Sequence, residues 1–221
     1  MNNNLKTNFE FIFASSNQHK FLEFEDLFKN SCIKLQLAEK SLEVTEDGDS
    51  YHQNALLKAK AYFNHQRGRG TTGTTPIPIM ADDSGLNVLS LPNELGIHSA
   101  RFGGDGLNYN DRCKLLLEKL NNLENVDRSA YFVCVLCFYF SDQEIFFFEG
   151  RLEGKIGSEI KGSGGFGFDP IFIPSSATKT TTESPQSLAE MDEWKQLHSH
   201  RAVAAKEAMK FFAGRSFRKS F

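Results

Sequence analysis

Four acidic side chains stand beside predicted turns and could bind a divalent metal ion. Glu46 and Asp47 precede a glycine, and Asp82 and Asp83 follow a short apolar run. Mg²⁺ prefers oxygen ligands, commonly one or two carboxylates with waters and substrate phosphates. Adjacent residues of a strand point to opposite faces, so Asp82 and Asp83 can act together only if the chain turns after them. We expect that turn at Ser84-Gly85; the alternative is a capped turn with solvated acids.

A second segment has the composition of a phosphate-binding turn and lies where an apolar run gives way to a helical pattern. It consists of Ser15, Ser16, Asn17, Gln18, His19 and Lys20. The start of a helix offers free backbone N–H groups and the positive end of the helix dipole. The serine hydroxyls, the Asn17 amide and the Lys20 ammonium add donors. The alternative is ordinary capping of the helix by Ser16 or Asn17, with a solvated lysine.

The glycine-rich residues 162–167 match the dinucleotide-binding pattern G-x-G-x-x-G in their letters but not in their context. That pattern must open a helix, whereas Asp169 and a proline follow here, and the residue before a proline is biased away from helix. With Phe166 and Phe168, the segment better suits a nucleobase pocket, in which rings stack on the base and backbone amides or Asp169 contact its edge. The alternative is a tight loop that packs phenylalanine into the core.

Lys195 and residues 198–201 (HSHR) supply cations and donors just before the last predicted helix. The rigid donor fork of an arginine can bind a base carbonyl or a phosphate. Cations at the start of a helix are mildly unfavourable because of the helix dipole. Their position therefore indicates a purpose other than helix stability.

The elements that must position these residues alternate early in the chain and become consecutive strands in the middle. We predict helices at residues 18–28, 53–65, 110–120 and 201–212. We predict strands at residues 9–14, 79–82, 130–140, 143–149 and 152–158. This order predicts an α/β fold with a mixed central sheet, surrounding helices and a second lobe built from a hairpin at Ser141-Asp142. Residues 1–8 and 175–185 are expected to be flexible, and residues 67–78 to be a loop insertion within a single domain, 1–221.

Composition narrows the class of protein. With a formal net charge of −3, no basic face for binding a nucleic acid is evident. Among the four cysteines, Cys134 and Cys137 form a C-x-x-C within a predicted strand. Their side chains would point to opposite faces, so they are predicted to be core thiols and not a metal or redox pair. The sequence contains no signal peptide and no span of about 20 apolar residues, so we predict a cytoplasmic protein that does not enter a membrane.

Taken in order, these segments resemble the inosine triphosphate pyrophosphatase family, which removes non-canonical purine nucleotides. The resemblance covers residues 11–212, nearly the whole chain. The matching segments are FASSNQHKFLEF, QNALLKA, ADDSGLNV, GIHSARF, GSGGFGFDPIF and WKQLHSHRAVA. Each segment alone would be weak, but GSGGFGFDPIF with ADDSG and SHR at these separations is very specific.

The resemblance implies a magnesium-dependent enzyme, with Mn²⁺ as a substitute, that converts ITP, dITP or XTP to the nucleoside monophosphate and pyrophosphate. Glu46 and Asp83 would bind the metal ion, and Asp83 would be the catalytic base for water. The family also implies an elongated, two-lobed α/β fold around the central sheet, with a cleft between the lobes, and a homodimer.

The other matching residues would bind the substrate. The turn from Ser15 to Lys20 would hold the triphosphate, with Lys58 adding charge and Ser84 touching the substrate. The residues implied to bind the base are Phe166, Gly167, Phe168, Asp169, Lys195, His200 and Arg201.

Some positions depart from the family pattern. Ser16 replaces the usual turn glycine, and Gln53 replaces a glutamate at a helix start. Ala202 follows the SHR motif where glycine is common, and the Gly/Thr loop at 67–75 is longer than expected. None of these changes removes a metal ligand or a base contact that the resemblance implies.

Two alternatives accompany this interpretation. The septum-formation-type pyrophosphatases act on modified or pyrimidine nucleotides, but their first turn usually reads Ser-Pro-Arg-Arg, whereas this chain has Asn17 and Lys20 and carries SHR. An inactive nucleotide-binding module is the non-enzymatic alternative. The presence of Glu46, Asp83 and Lys20 favours the enzyme.

Overall fold

The computed structural model describes residues 8–68, 76–176 and 185–215. Within them the strands are β1 (Phe9–Phe13), β2 (Ile33–Leu37), β3 (Ile79–Val88), β4 (Ser129–Ser141), β5 (Glu144–Ile156) and β6 (Phe172–Pro174). The α-helices are α1 (Gln18–Phe28), α2 (Tyr51–Gly68), α3 (Tyr109–Asn121), α4 (Asp192–His198) and α5 (His200–Ala213). Three short 3₁₀ turns cover Gly96–Arg101, Asp169–Ile171 and Leu188–Glu190. Of the segments expected to be flexible or inserted, residues 1–7, 69–75 and 177–184 lie outside the described residues. The loop predicted to begin at residue 67 begins later, because Arg67 and Gly68 are the last residues of α2.

The six strands form one mixed sheet in the order β2-β1-β3-β4-β5-β6. Strand β1 runs parallel to both β2 and β3, whereas β5 and β6 are antiparallel. The predicted α/β class with a mixed central sheet is therefore confirmed. Strand β2 was not predicted, because it lies at the edge of the sheet and buries only Ile33, which leaves little hydrophobic pattern to read.

The described chain divides into two compact units, and the first comprises residues 8–68, 76–83, 135–149 and 203–215. Phenylalanines build its core. Phe11 of β1 meets Phe138 of β4 edge-on, with 4.9 Å between ring centroids, and Phe212 of α5 lies 4.9 Å from Phe138. Such tilted and edge-on pairs are the favoured aromatic geometries. Helix α1 joins this core through Phe24, whose ring centroid is 5.5 Å from that of Phe13.

The second unit comprises residues 84–134, 150–176 and 185–202. Its core combines the apolar face of α3 with side chains from the sheet and from the loop before β6. The buried members are Leu86, Val88, Leu91, Leu95, Phe102, Cys113, Leu116, Leu117, Leu120, Ala130, Phe132, Leu152, Ile156, Phe168, Ile171, Phe172 and Leu188. Burying one large apolar side chain contributes about 1.5–3 kcal/mol, so this cluster gives the second unit a hydrophobic core of its own.

Strand β3 is longer than predicted, and the turn expected after Asp83 does not exist. The strand continues to Val88, so Asp82 and Asp83 stand on one extended segment and alternate in direction. The reason lies at Gly85. A Cβ at this position would overlap the carbonyl oxygen of Gly96, so the glycine serves close packing and not a turn.

The central hairpin also differs from the prediction. Its turn is at Asp142-Gln143, one residue later than expected, and the strand predicted at residues 152–158 is the second half of β5. Helix α4 was not predicted either. It contains Lys195, so this lysine belongs to a helix of its own and does not precede the last helix in an open segment.

The C-x-x-C cysteines are core thiols, as predicted. Cys134 and Cys137 are both fully buried on β4, which lies between β3 and β5 in the sheet, and all four cysteines are free thiols. Burial raises the pKa of Cys137 to about 12, and burial likewise raises that of Cys113 to about 12. Cys32 is half-buried. In the described residues, no helix is both long and apolar enough to span a membrane.

Candidate active site

The segment after β1 forms the predicted turn and caps helix α1. The Asn17 side chain accepts a hydrogen bond from the backbone N–H of Lys20 at 3.2 Å, and the Ser15 hydroxyl accepts from the N–H of Asn17 at 3.1 Å. The predicted cap at Asn17 is confirmed. Ser16, Gln18 and His19 are exposed. A polar, partly exposed turn thus connects an apolar strand to the start of an 11-residue helix. The start of a helix favours the binding of anions.

Lys20 is not a solvated lysine, contrary to the alternative interpretation. Its Nζ lies 2.8 Å from a carboxylate oxygen of Asp82, which is completely buried. The Nζ of Lys58 donates to the backbone carbonyl of Asp82 at 2.9 Å and lies 3.1 Å from the carboxylate of Glu46. We call Lys20, Glu46, Lys58, Asp82 and Asp83 the charged cluster. Helices α1 and α2, strand β3 and the loop before α2, all in the first unit, contribute to it.

The electrostatics of the charged cluster single out Asp83. Burial raises the pKa of Asp83 from 3.8 to about 6; Lys58 and Lys20 oppose the shift, and Glu46 and Asp82 add to it. Burial alone would lower the pKa of Lys58, but Asp82, Glu46 and Asp83 outweigh that effect and raise it. A carboxylate whose pKa approaches neutrality is suited to take a proton from water.

The donor set of the charged cluster fits Mg²⁺. Glu46 and Asp83 supply two carboxylates, and Glu46 is close enough to shift the pKa of Asp83. In the described part of the chain, no group of three or more histidine, cysteine, aspartate or glutamate side chains has the geometry of a metal site. Two carboxylates, with the other positions left to waters and phosphate oxygens, is the usual way in which proteins hold Mg²⁺. Asp47, also considered from the sequence, is exposed.

In the second unit, Asp169 organises the glycine-rich segment. Its carboxylate is almost completely buried and accepts hydrogen bonds from the backbone N–H of Phe166 and from Nζ of Lys195, both at 2.9 Å. The segment leads into the 3₁₀ turn at Asp169–Ile171 and then β6, so no α-helix follows it. The exclusion of a dinucleotide fingerprint is confirmed.

Two cations lie against the ring of Phe166. The guanidinium carbon of Arg201 is 4.6 Å from the ring centroid, and Nζ of Lys195 is 5.0 Å from it. Both distances are within the range of cation–π attraction. Phe166 is half-buried, so its ring has room to meet a ligand. We call Phe166, Asp169, Lys195 and Arg201 the base cluster.

Not every predicted base contact has this character. Phe168 is 3% exposed and packs into the core, as the alternative interpretation of the loop proposed. His200 is buried and stacks on Phe132, with 4.7 Å between ring centroids and an interplanar angle of 10°. Gly167 has φ of +71° and its carbonyl accepts from the Cys113 thiol at 3.6 Å. Ser84 is half-buried on β3.

Tyr109, the first residue of α3, was not predicted from the sequence. Its ring meets that of Phe168 edge-on at 5.7 Å. Burial raises the pKa of Tyr109, opposed mainly by Arg112, and a Cβ at Gly167 of the glycine-rich segment would lie 3.7 Å from the tyrosine ring. In sequence the residue follows the helix cap Asn108, and its type and spacing match no motif.

Gly165 offers a test of how tightly this segment is closed. Its φ is +67°, and a Cβ there would overlap the Asp169 carboxylate and come within 3.1 Å of Nζ of Lys195. A left-handed alanine costs roughly 1–2 kcal/mol, and overpacking typically costs about 1–3 kcal/mol more. We expect Gly165→Ala to lower the free energy of unfolding by at least about 2 kcal/mol in urea denaturation.

Gly106→Ala is the matched control for Gly165→Ala. Gly106 also has a positive φ, +84°, but among the described residues no atom beyond its chain neighbours lies within 4 Å of its would-be Cβ. Only the backbone cost should appear there, about 1 kcal/mol. Equal losses in the two variants would show that the buried ion pair leaves room for a methyl group.

Comparisons with known proteins show which family this chain resembles in sequence and fold. The sequence profile described as the Ham1 family matches residues 11–211. A dITP/XTP pyrophosphatase of Malacoplasma penetrans is 36% identical over 207 residues, which cover 90% of this chain and 96% of that protein. One from Porphyromonas gingivalis is 38% identical over 203 residues, covering 90% and 95%. The solved structure of a HAM1 protein from Coxiella burnetii superposes with a TM-score of 0.76 at 29% identity, covering 94% of this chain and all of that one.

Proposed function

This chain belongs to the Ham1 family, and on that premise we propose that it hydrolyses non-canonical purine nucleoside triphosphates such as dITP, ITP and XTP to the monophosphate and pyrophosphate. The observation that carries the proposal is the charged cluster, in which Lys20 pairs with Asp82 and Lys58 pairs with Glu46, and the buried Asp83 has a pKa raised to about 6. Cations for phosphates and a carboxylate for water are thereby gathered in one unit.

The chain's own residues divide the reaction between them. Backbone N–H groups of the turn before α1, with Lys20 and Lys58, bind the triphosphate and stabilise the charge that develops on the leaving pyrophosphate, worth about 3 kcal/mol per well-placed donor. Asp83 accepts a proton from the attacking water as the α–β anhydride bond breaks. Glu46 and Asp83 would hold Mg²⁺, which neutralises phosphate charge and lowers the pKa of bound water.

The base cluster supports selection of a 6-oxo purine. The Phe166 ring stacks on the base, while Arg201, His200 and Lys195 offer donors to O6. Adenine carries an amino group at this position and would leave buried donors unpaired, at about 1–3 kcal/mol each. Because Lys195 already pairs with Asp169, we assign the main discrimination to Arg201, which lies over the Phe166 ring.

Several features implied by the resemblance belong to the same proposal. We expect Mn²⁺ to replace Mg²⁺ and the enzyme to be a homodimer in the cytoplasm. No role for a nucleic acid or a membrane is proposed.

Substrate preference tests the proposal directly. Pyrophosphate release should be measured from dITP, ITP, XTP, GTP, ATP and dUTP, with and without Mg²⁺. We expect kcat/KM for ITP and XTP to exceed that for ATP by about 100-fold, since one or two unpaired donors cost the adenine substrate a few kcal/mol. Omission of Mg²⁺ should abolish release.

Each alternative has its own outcome in this assay. Release from ATP as fast as from ITP would remove the specificity. A preference for dUTP would favour the septum-formation type. No release from any nucleotide would favour an inactive binding module.

A further inference from the structure

The loop that carries Glu46 is tied to the start of helix α2 by side-chain hydrogen bonds. The backbone N–H of Gly48 donates to Oδ1 of Asn54 at 2.9 Å, and the N–H of Asp49 donates to Oε1 of Gln53 at 2.6 Å. We call these two bonds the loop clamp. They fix the backbone two and three residues after Glu46, so the direction of the Glu46 side chain depends on them.

The same face of α2 holds the loop at a second point. Asn54 and Lys58 are four residues apart, so they lie one above the other on the helix, and both are buried. Asn54 binds the backbone at Gly48, while Nζ of Lys58 lies 3.1 Å from the Glu46 carboxylate. Lys58 thus binds the Glu46 carboxylate directly, while Asn54 binds the backbone of the loop that carries Glu46.

Gly48 permits this close approach. A Cβ at this position would lie 2.7 Å from Cβ of Gln53 and 2.8 Å from Oδ1 of Asn54. Any larger residue would therefore push the loop away from the helix.

Asn54 is not explained by stability alone. It is completely buried, and its Nδ2 makes no hydrogen bond within the part of the chain that the structure describes. A buried donor without a bond is destabilising, so an apolar side chain of similar size would suit a purely structural position better. The Oδ1 bond to Gly48 is the contact that requires an amide here.

We propose that Asn54 is a positioning residue that sets the affinity for the divalent metal ion by holding the Glu46 loop. This role of Asn54 rests on the proposed function only for which reaction the metal ion serves, because metal affinity can be measured without turnover. Removal of a residue that orients a metal ligand typically lowers affinity about 10–100-fold.

The test compares Asn54→Leu and Gly48→Ala, which break the same bond from its two ends. We expect the Kd for Mn²⁺, measured by electron paramagnetic resonance in the presence of pyrophosphate, to rise about 10–100-fold in both variants. The Mg²⁺ concentration for half-maximal rate should rise in parallel, while kcat at saturating Mg²⁺ changes less than about threefold. Ser31→Ala is the control, because the Ser31 hydroxyl accepts a hydrogen bond from the Ile33 N–H at 3.0 Å in a turn of the first unit that is not part of the charged cluster.

Two folded variants with wild-type Mn²⁺ affinity, or a fall in kcat with unchanged metal affinity, would overturn the proposal. So would a wild-type protein that binds no Mn²⁺. If Asn54→Leu does not fold, Gly48→Ala decides alone. Weakened Mn²⁺ binding in a protein that hydrolyses no tested nucleotide would leave Asn54 in its role and remove the proposed function instead.

Discussion

Replacing Asp83 with asparagine is expected to lower pyrophosphate release by about 1,000-fold while making the metal-free protein more stable at neutral pH. The loss of rate follows because an amide cannot accept the proton of the attacking water, and a general base contributes roughly 10²–10⁴-fold. Asparagine has the same shape, so the strand β3 around it should be unchanged.

The gain in stability follows from the raised pKa of Asp83. Burial raises this pKa from 3.8 to about 6, so between these two values the folded protein binds the proton more tightly than the unfolded chain. The stability contribution of the group is therefore fully retained below pH 3.8 and falls as pH rises towards 6. Above pH 6 the ionised Asp83 lowers the free energy of unfolding by about 3 kcal/mol, because a pKa difference of one between the folded and unfolded states corresponds to about 1.36 kcal/mol.

Urea denaturation in EDTA measures this prediction. The free energy of unfolding of the wild type should decline relative to that of Asp83→Asn between pH 4 and pH 6.5, and the two curves should converge at the acid end. An active Asp83→Asn enzyme would remove Asp83 from the role of base. Parallel pH profiles of the two free energies of unfolding would show that Asp83 has the same pKa in the folded and the unfolded protein.

Lys195→Met is expected to destabilise the protein by about 3–5 kcal/mol, because it leaves the Asp169 carboxylate buried without its cation. The two side chains are 8% and 4% exposed, and they lie 2.9 Å apart. The same carboxylate fixes the backbone of Phe166, so preference for ITP over ATP should fall together with stability. Thermal or urea denaturation and the ratio of kcat/KM values measure the two effects.

Two variants control for this loss. Lys161→Met removes the cation of an exposed pair with Glu159, at 3.4 Å, and should cost no more than about 1 kcal/mol. The double variant Lys195→Met, Asp169→Leu removes both charges and should recover much of the stability lost. A Lys195→Met protein as stable as Lys161→Met would mean that Asp169 is neutral in the folded state.

Local sequence was sufficient where an element carries its own signals. Helix α1 was predicted to the residue, because Asn17 caps it and Phe24 and Phe28 mark its buried face. Helix α4 has seven residues, and its N-cap residue Met191 makes no side-chain capping hydrogen bond, so the local sequence does not predict it. Gly85 looked like part of a turn because close packing against Gly96 is a contact between distant residues.

The candidate site also contains residues that the sequence could predict and contacts that it could not. Residue types indicated that Lys20, Glu46 and Asp83 could act on a phosphate, and the structure of the first unit brings them together with Lys58. The pairing of Lys20 with Asp82 could not be predicted, since it depends on which face of β3 meets α1. Tyr109 was invisible for a similar reason: its position beside Phe168 comes from packing in the second unit.

Because three of the thiols are buried, their reaction with a thiol reagent can report when the folded chain opens. Cys113, Cys134 and Cys137 are at most 1% exposed, whereas Cys32 is half-buried. A thiol reagent under native conditions should therefore mark Cys32 first, and the others only as fast as the molecule opens. Because Cys113 belongs to the second unit and Cys137 to the first, mass spectrometry of the labelled peptides can time the opening of each unit separately, without any engineered probe.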